Sequence, residues 1–150
     1  MSDKTRWLIA ISLFCFFVVI PRAQTQRNAA APPLKPVPVT RIFTGPDGQS
    51  HAEETVADFG PNGVADLHVT GAELHRMAPS SAANWHTGGR RQYVITLTGS
   101  GEIEVADGKK IPVGPGHIDL IEDTTGKGHI TRNFEERVTL QLPLVDDTGK

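Results

Sequence analysis

WHTGGRRQYVITLTGSGEIEVADGKKIPVGPGHIDLIEDTTGKGHITRN, residues 85–133, decides how the chain folds. Tyr93 to Thr98 reads as a strand ended by the tight turn Gly99-Ser100-Gly101, and Glu102-Ile103-Glu104-Val105 as its antiparallel partner, turning at Asp107-Gly108. The strand His117 to Ile121 then runs into the turn-rich Asp123-Thr124-Thr125-Gly126-Lys127-Gly128, and His129 follows directly. Side chains alternate faces along a strand, so His86 at one end of this stretch is placed to face His129 across a small barrel.

Outward from this stretch the pattern is the same. Val39 to Phe43 reads as a first strand, stopped by Gly45-Pro46-Asp47-Gly48. Ala52 to Phe59 is the one place where a short helix competes with a strand, and the turn Gly60-Pro61-Asn62-Gly63 favours the strand. Ala65 to Val69 and Ala72 to Ala78 read as strands, the second leading through Pro79-Ser80-Ser81 to Trp85. At the C-terminal end Arg137 to Leu142 alternates so that Val138, Leu140 and Leu142 share a face. Roughly ten short strands with Gly/Pro turns predict an all-β fold, best an antiparallel jelly-roll β-barrel, as a single domain over residues 39–145.

These residues resemble the cupin superfamily. Its first motif reads G-x5-H-x-H-x3-4-E-x6-G, and His86, Gln92 and Gly99 keep the spacing, with Ser80 for the leading Gly, Gly88 for the second His and Gln92 for the Glu. Thr124, Gly126, His129 and Asn133 reproduce the latter half of the second motif, with Thr for Pro, while Gly116 stands two residues too far upstream. The wording is similar to a group of small single-domain cupins of largely unassigned activity, over roughly residues 39–143. The resemblance implies a barrel that holds a divalent metal on three histidines and a glutamate, and a homodimer in which the strand Val39 to Thr44 pairs or exchanges.

The start of the chain has another character. Lys4 and Arg6 precede the apolar run Trp7 to Ile20, followed by Pro21-Arg22-Ala23. This predicts a signal peptide over residues 1–23, cleaved near Ala23, or an uncleaved N-terminal anchor as the only tie to a membrane. The expected location is exported, periplasmic or secreted. Residues 24–38 form a Pro/Ala-rich linker of extended geometry, and residues 146–150 a C-terminal tail. The only cysteine, Cys15, lies in the leader, so the mature chain has no disulfide and relies on its apolar core. The net charge is −2, and the leader's Lys4, Arg6 and Arg22 against Asp3 carry +2, which leaves about −4 for the mature chain. A mildly acidic domain without a basic cluster argues against nucleic acid as a partner.

Candidate chemistry centres on the two histidines. The expected pocket residues are His86, Gln92, His129, Arg91, Tyr93 and Asn133. The expected metal ligands are His86 and His129, with His75 as third ligand and His68 behind it. Imidazole suits Fe, Zn, Mn, Ni or Cu, while Gln92 offers only a neutral oxygen. The other reading is that both histidines simply hydrogen-bond in a polar pocket. Arg90 and Arg91 are placed to clamp a carboxylate or phosphate, or to lie along the wall with their heads in solvent. Gly88 is expected to widen the pocket. His117, beside Gly116, reads as a surface residue, and Glu102 and Glu104 as the solvated side of a strand. No Ser or Cys sits in a nucleophile turn, which disfavours a nucleophilic hydrolase. Two classes follow: a barrel that holds a small-molecule ligand, or a divalent-metal-dependent enzyme of oxygenase or isomerase type. In either, acid–base work falls to His86 or His129.

Overall fold

A computed structural model describes residues 33–80 and 84–145. The predicted leader, the first part of the linker and the C-terminal tail lie outside the described residues. Nine strands and no helix occur among them: β1 Pro38–Thr44, β2 Ser50–Val56, β3 Glu73–Met77, β4 Gln92–Thr98, β5 Gly101–Glu104, β6 Lys110–Val113, β7 Ile118–Glu122, β8 Ile130–Asn133 and β9 Arg137–Pro143. The all-β expectation holds. The strands make a six-stranded sheet in the order β2-β1-β7-β4-β9-β3 and a three-stranded sheet in the order β6-β5-β8.

Three details differ from the sequence reading. First, β4 and β5 follow each other in the chain but belong to different sheets. The turn at Gly99 therefore carries the chain from one sheet to the other. Gly99 has φ +78°, and a Cβ there would collide with the backbone of Glu136, so only glycine makes this crossing. Second, Ala65 to Val69 forms no strand. Val69 makes only an isolated bridge to Leu144, and His68 sits at φ +45°, which breaks an extended run. Third, β1 lies between β2 and β7, so the strand expected to pair with a second copy offers no free edge.

Register fixes the faces of the large sheet. Opposite one another stand Gln92 and Ile121, Val94 and Asp119, Val94 and Gln141, and Thr96 and Thr139. The other face carries Tyr93 with Leu120 and Leu142, Ile95 with Ile118 and Leu140, and Leu74 beside Leu140. Val138, Leu140 and Leu142 thus share a face, as their alternation predicts, yet it is not the buried one. On β9 it is Arg137 and Thr139 that are buried. The apolar core joins the two sheets: Ile42 and Ile121 from the large one pack with Ile103, Val105, Ile111 and Val113 of the β5–β6 hairpin. On the far side of that hairpin Arg132 donates to both Glu102 and Glu104, which accounts for these carboxylates without catalysis.

Candidate functional site

A cavity of about 220 Å³ opens among these strands, lined by residues that include Met77, His86, Gln92, Val94, Asp119, His129, Arg137 and Gln141. At about 30 Å³ per water molecule it has room for roughly seven. The two sequence-predicted histidines meet there. His86 and His129 form an isolated antiparallel bridge with reciprocal 2.9 Å backbone hydrogen bonds, and their ring centroids are 4.6 Å apart. Gly128 makes this approach possible: at φ +72°, any Cβ would strike the carbonyl of His86.

Each ring is held through Nδ1. His86 Nδ1 donates to the carbonyl of Asn84 at 3.0 Å, and His129 Nδ1 donates to Asp123 Oδ2 at 2.7 Å. These acceptors call for a proton on Nδ1, so in the neutral ring Nε2 is the lone-pair acceptor. Neither Nε2 has a hydrogen bond among the described residues. His86 is exposed at the mouth of the cavity, while His129 and Asp123 are buried. Asp123 is a site residue that sequence reasoning left in a loop. Its spacing six residues before His129, at the end of a strand, was the available signal.

The deeper wall is polar as well. Arg137, 2 % exposed, donates from Nε and Nη2 to Thr96 Oγ1 at 3.1 and 2.7 Å, and Nη2 lies 3.9 Å from Asp119 Oδ2. Burial pulls its guanidinium below the ordinary value, against the opposing attraction of Asp119. Asp119 is fully buried and accepts at Oδ1 from His117 Nε2 at 2.9 Å. That hydrogen bond raises the His117 pKa above the usual imidazole value, with burial opposing. His117 is therefore part of the interior network rather than a surface residue. Arg137 and Asp119 escaped the sequence reading because alternation alone does not say which face of a strand turns inward.

Of the remaining predicted residues, Gln92 and Gly88 border the cavity and the others lie elsewhere. Gln92 lines the cavity, and its Oε1 accepts from Arg90 Nε. Arg90 also pairs with Glu73 at 2.6 Å, and Arg91 pairs with Glu122 at 2.6 Å, so neither guanidinium is aimed into the cavity. Tyr93 lines two other pockets on the opposite face of the sheet, one of them together with Arg91, and Asn133 lines a third beside Ser80 and Phe134. His75 hydrogen-bonds Glu73 and does not line the cavity, and His68 lies at the exposed Asp66. Gly88 does line it but does not widen it. A Cβ there would strike Ile121 Cγ2 and come within 3.3 Å of Asp123 Oδ1, so that space is filled.

A resident metal fits this donor set incompletely. The cavity supplies two imidazoles and one neutral amide, and among the described residues no group of three His, Cys, Asp or Glu side chains converges as metal ligands. Compared with protein-family models and with curated proteins, the chain matches none.

Proposed function

We propose that this is an exported single-domain cupin whose two sheets form a jelly-roll barrel around a small-molecule pocket at His86, Gln92 and His129. One observation carries the reading: two imidazoles, each anchored through Nδ1, border one cavity, and neither Nε2 has a hydrogen bond among the described residues. A ligand O–H or N–H supplies the missing partner. The motif spacing around His86 and His129 supports the cupin assignment, and the apolar outer face, with Leu74 72 % and Leu97 44 % exposed, supports a homodimer. Protein isolated from its own compartment is expected to release a small molecule on denaturation, detected by mass spectrometry. Met77→Trp, which fills the cavity mouth, and His86→Ala are expected to lose it. A wild-type protein that releases nothing, and whose Tm is unmoved by small polyols, amines and acids, overturns the reading.

A second reading, a divalent-metal-dependent cupin enzyme of oxygenase or isomerase type using His86 and His129, draws on the same Nδ1 anchoring. Metal-holding histidines are characteristically fixed this way by a carboxylate or carbonyl. Elemental analysis of untagged protein decides it. Near-stoichiometric Fe, Zn, Mn, Ni or Cu that disappears in both His86→Ala and His129→Ala supports this enzyme, and no metal after incubation with each ion sinks it.

A further inference from the structure

Four buried side-chain atoms lack a hydrogen bond among the described residues, and all are oxygens: Asp119 Oδ2, Asp123 Oδ1, Asn133 Oδ1 and Thr139 Oγ1. Of these residues Asp119 lines the cavity, and Asp123 and Thr139 stand next to residues that do. Asp123 Oδ1 lies behind Gly88, which also lines it. Thr139 is on the same face of β9 as the lining residues Arg137 and Gln141. A buried acceptor without a donor costs about 1–3 kcal/mol, more when charged, so such a cluster asks for a partner. Ionised carboxylates can only accept. The two Nε2 atoms of His86 and His129 add further acceptors to the same space.

The charge balance points the same way. Arg137 is the sole cation lining the cavity among the described residues, and Asp119 stands 3.9 Å from it. Arg90 and Arg91 are spent on Glu73 and Glu122. An incoming anion would meet Asp119 in a setting of low dielectric where Arg137, the one lining cation among the described residues, already faces that carboxylate.

We infer that the cavity selects a donor-rich, non-anionic ligand, one that presents several O–H or N–H groups to Asp119 and the two histidines. This rests on the small-molecule reading and narrows it: acids are rejected, and polyols or amino alcohols are accepted. A matched three-carbon series tests it, since glycerol, 3-amino-1,2-propanediol and glycerate differ at one terminus and are of a size for the cavity. Titrations followed by amide NMR are expected to perturb Asp119 and His129 with glycerol and the amino diol, and at least about tenfold more weakly with glycerate. Tighter binding of glycerol assigns a neutral polyol; tighter binding of the amino diol assigns an ammonium. Asp119→Asn keeps an oxygen for His117 and puts a donor where Oδ2 stood, so it is expected to shift the preference toward glycerate. If that variant does not fold, His86→Ala, at an exposed position that lines the cavity, is expected to weaken glycerol several-fold. Glycerate binding as tightly as glycerol to the wild type overturns the inference. Perturbation of His86 and Gln92 without Asp119 overturns it while leaving the pocket reading intact; no perturbation by any of the three overturns both.

Discussion

The two sheets face each other with opposite chemistries. From the three-stranded sheet and its hairpin come Ile103, Val105, Ile111, Val113 and Ile130, none more than 6 % exposed. The six-stranded sheet answers with Ile42 and Ile121, but also with buried Thr40, Thr96, Asp119, Arg137 and Thr139. Burying polar groups costs free energy unless they are paired, while burying apolar area stabilises by about 25 cal/mol per Å². Stability is thus supplied chiefly where Ile42 and Ile121 meet the hairpin. The polar wall is a region kept at a cost, and its incomplete hydrogen bonding marks it as the part shaped for something other than stability.

The most severe way to break this contrast is Arg137→Ala. It leaves Asp119 buried without its cation and Thr96 without two donors. Removing one partner of a buried charged pair typically costs about 3–5 kcal/mol. Urea denaturation is expected to show a loss of that order. Replacing the pair together, Arg137→Met with Asp119→Leu, is expected to restore much of it, because no charge is then stranded. A double variant as unstable as the single one contradicts the view that the polar wall costs stability.

Ile111→Ala attacks the other wall. Ile111 is 5 % exposed in the apolar cluster and does not line the cavity. Truncation of a buried Ile costs about 2–5 kcal/mol, and about 3 is expected here. Affinity for glycerol, measured on the folded variant, is expected to stay unchanged. A matching loss of affinity would show that the two walls are not separable.

Much of this architecture was legible in the sequence. Alternating apolar residues and Gly/Pro turns marked most of the strands, and the spacing around His86 and His129 brought the two rings together. Short β6 and β8 were missed, since Lys110–Val113 and Ile130–Asn133 are too brief to show a period. The inner wall was missed for a more instructive reason. On β9 alternation put Val138, Leu140 and Leu142 on one face without saying which face turns inward, and register buries Arg137 and Thr139. Nothing local distinguishes a polar face turned to solvent from one turned into a site. Likewise Asp123 meets His129 and Asp119 meets His117 through hydrogen bonds, but that Asp119 stands 3.9 Å from Arg137 and lines one cavity with His129 depends on tertiary register. Gly88 was read as open space because the side chain that fills its place, Ile121, comes from another strand.

The gentlest test separates the walls by pH. His117 donates to the buried Asp119, and its folded-state pKa is raised chiefly by that hydrogen bond, with further attraction from Asp119 and Glu54, against burial and Arg137. A histidine whose pKa is higher folded than unfolded adds stability that is fully present below the unfolded value of about 6.5 and is lost as pH rises through the folded value. The wild type is therefore expected to lose stability as pH climbs from 6 to 9. His117→Gln, which retains a donor but cannot titrate, is expected to flatten this part of the decline and to cost on the order of 1 kcal/mol below pH 6, the net worth of an ordinary hydrogen bond. Denaturation across that range provides the measurement. In Ile111→Ala the pH profile is expected to keep the wild-type shape at lower overall stability, because the apolar wall contains no titrating group. A His117→Gln profile that still falls like the wild type would place the pH dependence elsewhere and remove His117 from the interior network.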